Sequence, residues 1–163
     1  ENELSKGAGI KLHSATGGPI VNEAMETSVE GIFACGNVVH VHDLVDWVTT
    51  ESFKAGRGAA AFIKSLPKDK GEYTFKTEPL EGISYIVPHL VRSTGMDDNL
   101  ELYMRVKGFH EGASLVVKAD GTLVKKVKKK VLTPGEMAEL KIKKSDLPGD
   151  PFKTLTVELD RED

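Results

Sequence analysis

Among its 163 residues the sequence has one cysteine, Cys35. No intrachain disulfide and no cysteine-rich zinc site can form from it. No apolar run approaches the roughly 20 residues of a membrane-spanning helix, so no membrane span is expected. No excess of one charge exists either: 22 Lys and Arg stand against 25 Asp and Glu, a formal net charge of -3. Such a balance provides no field for nucleic acid or an anionic membrane. Nothing at the amino terminus reads as a signal peptide, and with the lone thiol this makes the cytoplasm the expected location. The chain opens at Glu1 rather than Met, and the opening lacks the look of a domain start. It is expected to have been cut from something longer, with ordinary processing as the alternative.

What is present suffices for a core. Hydrophobic residues make up 39% and charged residues 29%, within the range of a packed globular chain. The length fits one ordinary domain or two small ones. The charge divides unevenly: residues 1–66 carry five Lys and Arg against eight Asp and Glu, and residues 67–163 carry seventeen of each.

The two parts follow different patterns. Three short apolar segments, Ile10 to Leu12, Pro19 to Val21 and Ile32 to Ala34, are bounded by Gly, Asn or Glu and predict strands. A long helix is predicted between Asp43 and Leu66, with Leu44, Val45, Val48, Ala55, Ala59, Phe62 and Ile63 at helical spacing. Pro67 ends it, and residues 67–72 read as a linker. Beyond them the period falls to two. Strands are predicted at Tyr73–Thr77, Ile83–His89, Leu100–Val106, Ser114–Lys118, Thr122–Val131, Ala138–Lys143 and Thr154–Leu159. Asp120-Gly121 suits a type I′ hairpin turn. Seven short strands over residues 73–163 predict an antiparallel sandwich of immunoglobulin-like type.

One stretch points to chemistry: Thr27-Ser-Val-Glu-Gly-Ile-Phe-Ala-Cys-Gly-Asn37. A strand runs into Gly36, which removes the side chain that would block a ligand, and then into a polar residue. Ligands bind at the carboxyl ends of strands in open α/β sheets. The stretch resembles the second FAD-binding motif of the pyridine nucleotide-disulfide oxidoreductases, Thr-Ser-x-x-Gly-Ile/Val-Phe-Ala-x-Gly-Asp. It matches at Thr27, Ser28, Gly31, Ile32, Phe33, Ala34 and Gly36. Upstream, Gly17-Gly18-Pro19-Ile20-Val21 is similar to the strand before that motif. Downstream, Ala55-Gly56-Arg57-Gly58-Ala59-Ala60 is similar to the helix after it. Residues 37–47 resemble a subgroup, with Asn in place of Asp, associated with bacterial glycerol 3-phosphate oxidation.

The resemblance implies an α/β remnant of a Rossmann-like FAD-binding domain over residues 1–66. It implies that Gly36 and Asn37 contact FAD. It further implies that a helix N-terminus near Val48, Thr49 and Thr50 faces the flavin pyrimidine, where its partial positive charge stabilises incoming electron density. The parent protein would move a hydride between NAD(P) and FAD. Its partners would be the remainder of the flavoprotein chain, partner oxidoreductase subunits, or a second copy in a homodimer. The family's Gly-x-Gly-x-x-Gly phosphate loop is absent. Gly56-x-Gly58-x-x-Ala61 matches it as text, but follows no strand and reads as a helix packing face. FAD is therefore expected to be absent from this fragment, and the fragment inactive. The alternative is a non-catalytic β-sandwich module carrying a remnant of a flavin domain.

Other residues carry sharper and blander readings. Cys35 has no partner thiol and reads as a small buried hydrophobe. His40, His42, Asp43 and Asp46 form the only His/Asp cluster. His40 and His42 share a face of an extended segment and are the candidate catalytic groups, able to donate protons near a flavin. Capping and surface roles are the alternative, and no metal is expected, since nothing nearby in sequence completes a shell. Trp47 would line a cofactor pocket or pack an interface. Lys125, Lys126, Lys128, Lys129 and Lys130 interleave with Val127 and Val131 and read as a guarded edge strand.

Overall fold

A computed structural model of the chain describes residues 2–64, 74–149 and 151–161. The described residues are mostly β-sheet, with two α-helices. Helix α1 (Glu3–Gly7) is a short opening turn, and α2 (Val45–Lys64) is the long helix foreseen from the periodicity. The strands are β1 (Phe75–Pro79), β2 (Ile83–Val87), β3 (Leu90–Val91), β4 (Asn99–Val106) and β5 (His110–Glu111). They continue with β6 (Ala113–Ala119), β7 (Thr122–Lys128), β8 (Val131–Leu132), β9 (Ala138–Lys143) and β10 (Thr154–Arg161). The predicted linker, residues 67–72, lies outside the described residues, as does Tyr73.

Two sheets carry the β part, in the orders β3-β1-β10-β6-β7 and β2-β4-β9, with a small β5-β8 ribbon beside them. Alternation explains how they stack. On β4, Leu100, Leu102, Met104 and Val106 point into a core they share with Ile83, Ile86, Leu140 and Ile142 of their own sheet. Phe75, Leu115, Val117, Leu155, Val157 and Leu159 enter the same core from the other sheet. Two sheets with one shared apolar interior form a sandwich. Each fully buried Leu or Ile there contributes roughly 1.5–3 kcal/mol from burial.

The hairpin at Asp120-Gly121 forms as its residues dictate. Both have positive φ, 43° and 89°, as a type I′ turn requires. Asp120 then accepts hydrogen bonds through its carboxylate from the amides of Lys153 and Thr154, which fixes the start of β10. Strand β7 lies at a sheet edge. Its lysines reach sideways to oxygen partners, Lys125 to the Lys141 carbonyl and Lys126 to Asp160, as a guarded edge demands.

Three expectations need correction. The sandwich is not wholly antiparallel: β1 pairs with β10 in parallel, Lys76 opposite Thr154 through Pro79 opposite Val157. Period-two alternation is the same for either direction, so sequence pattern did not reveal it. The expected strand Thr122–Val131 is two strands, β7 and β8, which join different sheets. The three segments expected as strands before the helix make only isolated bridges, Leu12 with Pro19, Glu26 with Phe33 and Asn22 with Leu90. Among the described residues they have no neighbouring strand long enough to form a ladder.

Residues 2–64 lie against the outer face of the β2-β4-β9 sheet. On β4 the residues that alternate outward, Glu101, Tyr103 and Arg105, meet this layer. Lys54 pairs with Glu101 at 3.0 Å, and Trp47 packs edge-on against Tyr103. Arg105 donates to the Val41 carbonyl at 2.9 Å. A second apolar cluster, Val21, Met25, Val39, Ala55, Tyr85 and Val87, fills the space between. Close backbone approach holds the layer together: a Cβ on Gly18 would lie 2.0 Å from the Val39 carbonyl oxygen.

Candidate functional site

The chain leaves the Glu26–Phe33 bridge and turns through one 3-10 turn, Gly36–Val38, before α2. Gly36 makes this turn with φ 71°, a conformation that costs a residue with a side chain. Residues 40–42 then alternate. Val41 is exposed, while the side chains of His40 and His42 are 0% and 1% exposed. Helix α2 presents Glu51 to both of them, with its side chain 1% exposed.

The distances define a compact group. His40 Nε2 lies 2.7 Å from Glu51 Oε1, and His42 Nε2 lies 3.1 Å from the same oxygen. The other carboxylate oxygen, Oε2, accepts the Gly36 amide at 2.9 Å. His40 Nδ1 is 3.3 Å from the Tyr85 hydroxyl. Asn37 Oδ1 accepts the His42 backbone N–H at 3.1 Å and lies 3.2 Å from His42 Nδ1. Burial alone would raise the Glu51 pKa. The two histidines and the Gly36 amide outweigh it and hold the carboxyl down to about 2. A buried ionised carboxylate is thus fixed between two imidazoles.

A second pair lies against the same sheet. The rings of His13 and His89 are 4.5 Å apart. His89 Nδ1 accepts the Val21 amide at 3.1 Å, so the neutral ring carries its proton on Nε2. Burial first, then His13, pushes the His89 pKa down to about 3. Burial lowers His13 as well.

The residues expected to contact a flavin are placed as follows. The Gly36 amide is engaged by Glu51, and the Asn37 side-chain oxygen is engaged by His42. The helix begins at Val45, earlier than the expected N-terminus near Val48, Thr49 and Thr50. Their amides therefore lie within the helix instead of among its open first donors. The hydroxyls of Thr49 and Thr50 donate back to the carbonyls of Val45 and Asp46, and the Val48 side chain packs where a Gly36 Cβ would point. Gly58 behaves as the packing face foreseen from sequence: a Cβ there would lie 2.5 Å from the Ala24 carbonyl oxygen, whereas Gly56 has open space. Cys35 is a free thiol, partly buried, with its sulfur 3.6 Å from the Ser52 hydroxyl.

Sequence reasoning missed Glu51, Tyr85 and His89. Glu51 follows Thr49 and Thr50 on α2 with no local pattern to mark it, and burial of a carboxylate is the signal that only packing supplies. Tyr85 and His89 come from the far side of the linker, with no local pattern joining them to His40 or His13.

Two clefts lie near these groups. A polar cleft of about 470 Å³ lies between α2 and the start of β4, lined by Glu23, Lys54, Arg57, Asp97, Asp98 and Glu101 among others. It mixes both charges, contains the Lys54–Glu101 pair, and does not include the histidines. A mainly apolar hollow of about 460 Å³ lies beside the Gly36 turn, lined by Leu4, Ile10, Ile32, Phe33, Cys35 and Val38 among others. Among the described residues no helix is long and apolar enough to cross a membrane.

Compared with family models, with curated proteins and with solved structures, the chain matches none.

Proposed function

We propose that the chain is the C-terminal part of a flavin-dependent oxidoreductase, in which residues 2–64 complete one wall of an FAD site and the β part docks behind it. In the parent protein, electrons would pass between NAD(P)H and FAD. The observation that carries this reading is apolar surface left exposed on residues 2–64. Leu4, Val38, Val41, Leu44, Val45, Phe53 and Ile63 are exposed large hydrophobics, seven of the eleven among the described residues. Only Glu51 and Ala55 of α2 are buried. A layer built this way has one face against the sheet and another that calls for a covering partner. The remainder of the flavoprotein is that partner, and a second copy of this chain or an oxidoreductase subunit is the substitute in its absence.

The Thr27 to Asn37 motif supports the assignment, and the hollow beside Cys35 is where the missing part of the domain would pack. The engaged Gly36 and Asn37 groups mean that FAD would have to draw on donors supplied by the rest of the protein. A cytoplasmic setting suits this reading, and so does an immunoglobulin-like description of the sandwich.

The test is a visible spectrum of the purified chain after incubation with excess FAD and desalting. No retained flavin is expected, together with no NADH oxidation above a free-flavin control. Stoichiometric retained flavin would overturn the incomplete-site reading. A second reading, a binding module, is favoured by the separate core of the sandwich, which draws only on residues 75–159. Soluble and cooperative folding of residues 72–163 alone would support it, and aggregation of that piece would count against it.

A further inference from the structure

We propose that His40, His42 and Glu51 form a binding site for one divalent first-row transition-metal ion. The three candidate ligand atoms lie within 4.8 Å of one another. Ligands of a tetrahedral ion with bonds of about 2.0–2.1 Å are themselves about 3.3 Å apart. The two nitrogen-to-oxygen separations, 2.7 and 3.1 Å, need only a small widening to reach that value.

Hydrogen-bond logic gives the independent reason. Asn37 turns its side-chain oxygen toward His42, because that atom accepts the His42 backbone N–H. The same oxygen stands 3.2 Å from His42 Nδ1, so Nδ1 carries the ring proton and donates it there. In the neutral ring Nε2 is then a lone pair, buried, and 3.1 Å from Glu51 Oε1. Two acceptors at that distance repel unless a cation, either a proton on the ring or a metal ion, lies with them. His42 Nε2 also makes no hydrogen bond of acceptable geometry, close as Glu51 is. Lone pairs that do not point at each other, yet lie at contact distance, suit a shared ion better than a shared proton.

The surrounding groups are those that metal sites use. A ligating histidine donates its other N–H to an oxygen acceptor, and a ligating carboxylate is itself hydrogen-bonded. Asn37 serves His42, Tyr85 stands at His40 Nδ1, and the Gly36 amide serves Glu51. Two imidazoles and one carboxylate select zinc, iron(II), cobalt(II) or manganese(II). They select against calcium and magnesium, which take oxygen ligands, and against copper(I), which takes sulfur. An ion there would tie the loop of residues 36–42 to α2. The proposal does not depend on flavin binding.

Titration of the untagged chain with cobalt(II), after chelator treatment and desalting, tests it. One equivalent should bind with a visible d–d absorption, and zinc should displace it. His42→Gln and Glu51→Gln should each weaken binding by at least about a hundredfold. Asn37→Ala, at an exposed position, should weaken it by about 10–100-fold, while His110→Gln should leave it unchanged. Should the buried substitutions unfold the chain, ring-nitrogen NMR of the unmodified protein decides: zinc must shift the His40 and His42 Nε2 resonances and leave His110 in place. No cobalt band, binding that survives His42→Gln and Glu51→Gln unchanged, or ring resonances indifferent to zinc would overturn the proposal.

Discussion

Mild acid should destabilise this protein through His89 before it reaches the carboxylates that the fold holds ionised, such as Glu51. The His89 pKa is held down to about 3 from an ordinary 6.5, by burial and by the neighbouring His13 ring. The unfolded chain therefore takes up a proton near pH 6.5, whereas the folded ring refuses it until near pH 3. Stability contributed by the neutral ring is complete above pH 6.5 and falls as pH drops through that window. Each pH unit of such a difference is worth about 1.4 kcal/mol. Going from about pH 7.5 to about pH 5 crosses roughly one and a half units of the window, a loss of about 2 kcal/mol. His13, also lowered by burial, adds in the same direction. Glu51 does not contribute in this range, because its depressed value makes its share fall only below its ordinary 4.5. Urea denaturation followed by circular dichroism at a series of pH values measures the loss. His89→Asn keeps an acceptor for the Val21 amide and removes the titration, so its profile should be flatter. Stability that holds level or rises between pH 6.5 and 5 would refute the reasoning.

Two glycines two residues apart on α2 should respond in opposite senses. Gly56→Ala meets open space and should stabilise by about 0.5–1 kcal/mol through helix propensity, whereas Gly58→Ala meets the Ala24 carbonyl at 2.5 Å and should cost about 1–3 kcal/mol, both read from denaturation midpoints. Leu155→Ala removes a side chain that is 0% exposed on the central strand of the larger sheet, and a loss of about 2–5 kcal/mol is expected by the same measurement.

Local chemistry was legible wherever one residue decides one dihedral or one face. The Asp120-Gly121 turn, the limits of β9 at Ala138 and Lys143, the lysine-lined β7 edge and the packing face at Gly58 all follow from short-range rules. Residues 10–34 misled because short apolar segments bounded by Gly and Asn look alike whether they enter a ladder or touch a neighbour once. The histidines at 40 and 42 stood out in sequence, but their meaning depends on Glu51, eleven residues beyond His40 and buried by packing. His13 and His89 are 76 residues apart, and no spacing rule joins them.

The parallel pairing of β1 with β10 also shapes how the chain must be made. Strand β10 sits between β1 and β6, so the larger sheet has no middle until residues 154–161 have left the ribosome. Loop closure over roughly 80 residues must then precede the contacts that reward it. Segments 75–79 and 113–119 can pair with β3 and β7 beforehand, but each spends synthesis with its other edge open. During that interval the nascent chain is the form most exposed to chaperones and proteases, and loss of residues 154–161 would keep it there permanently.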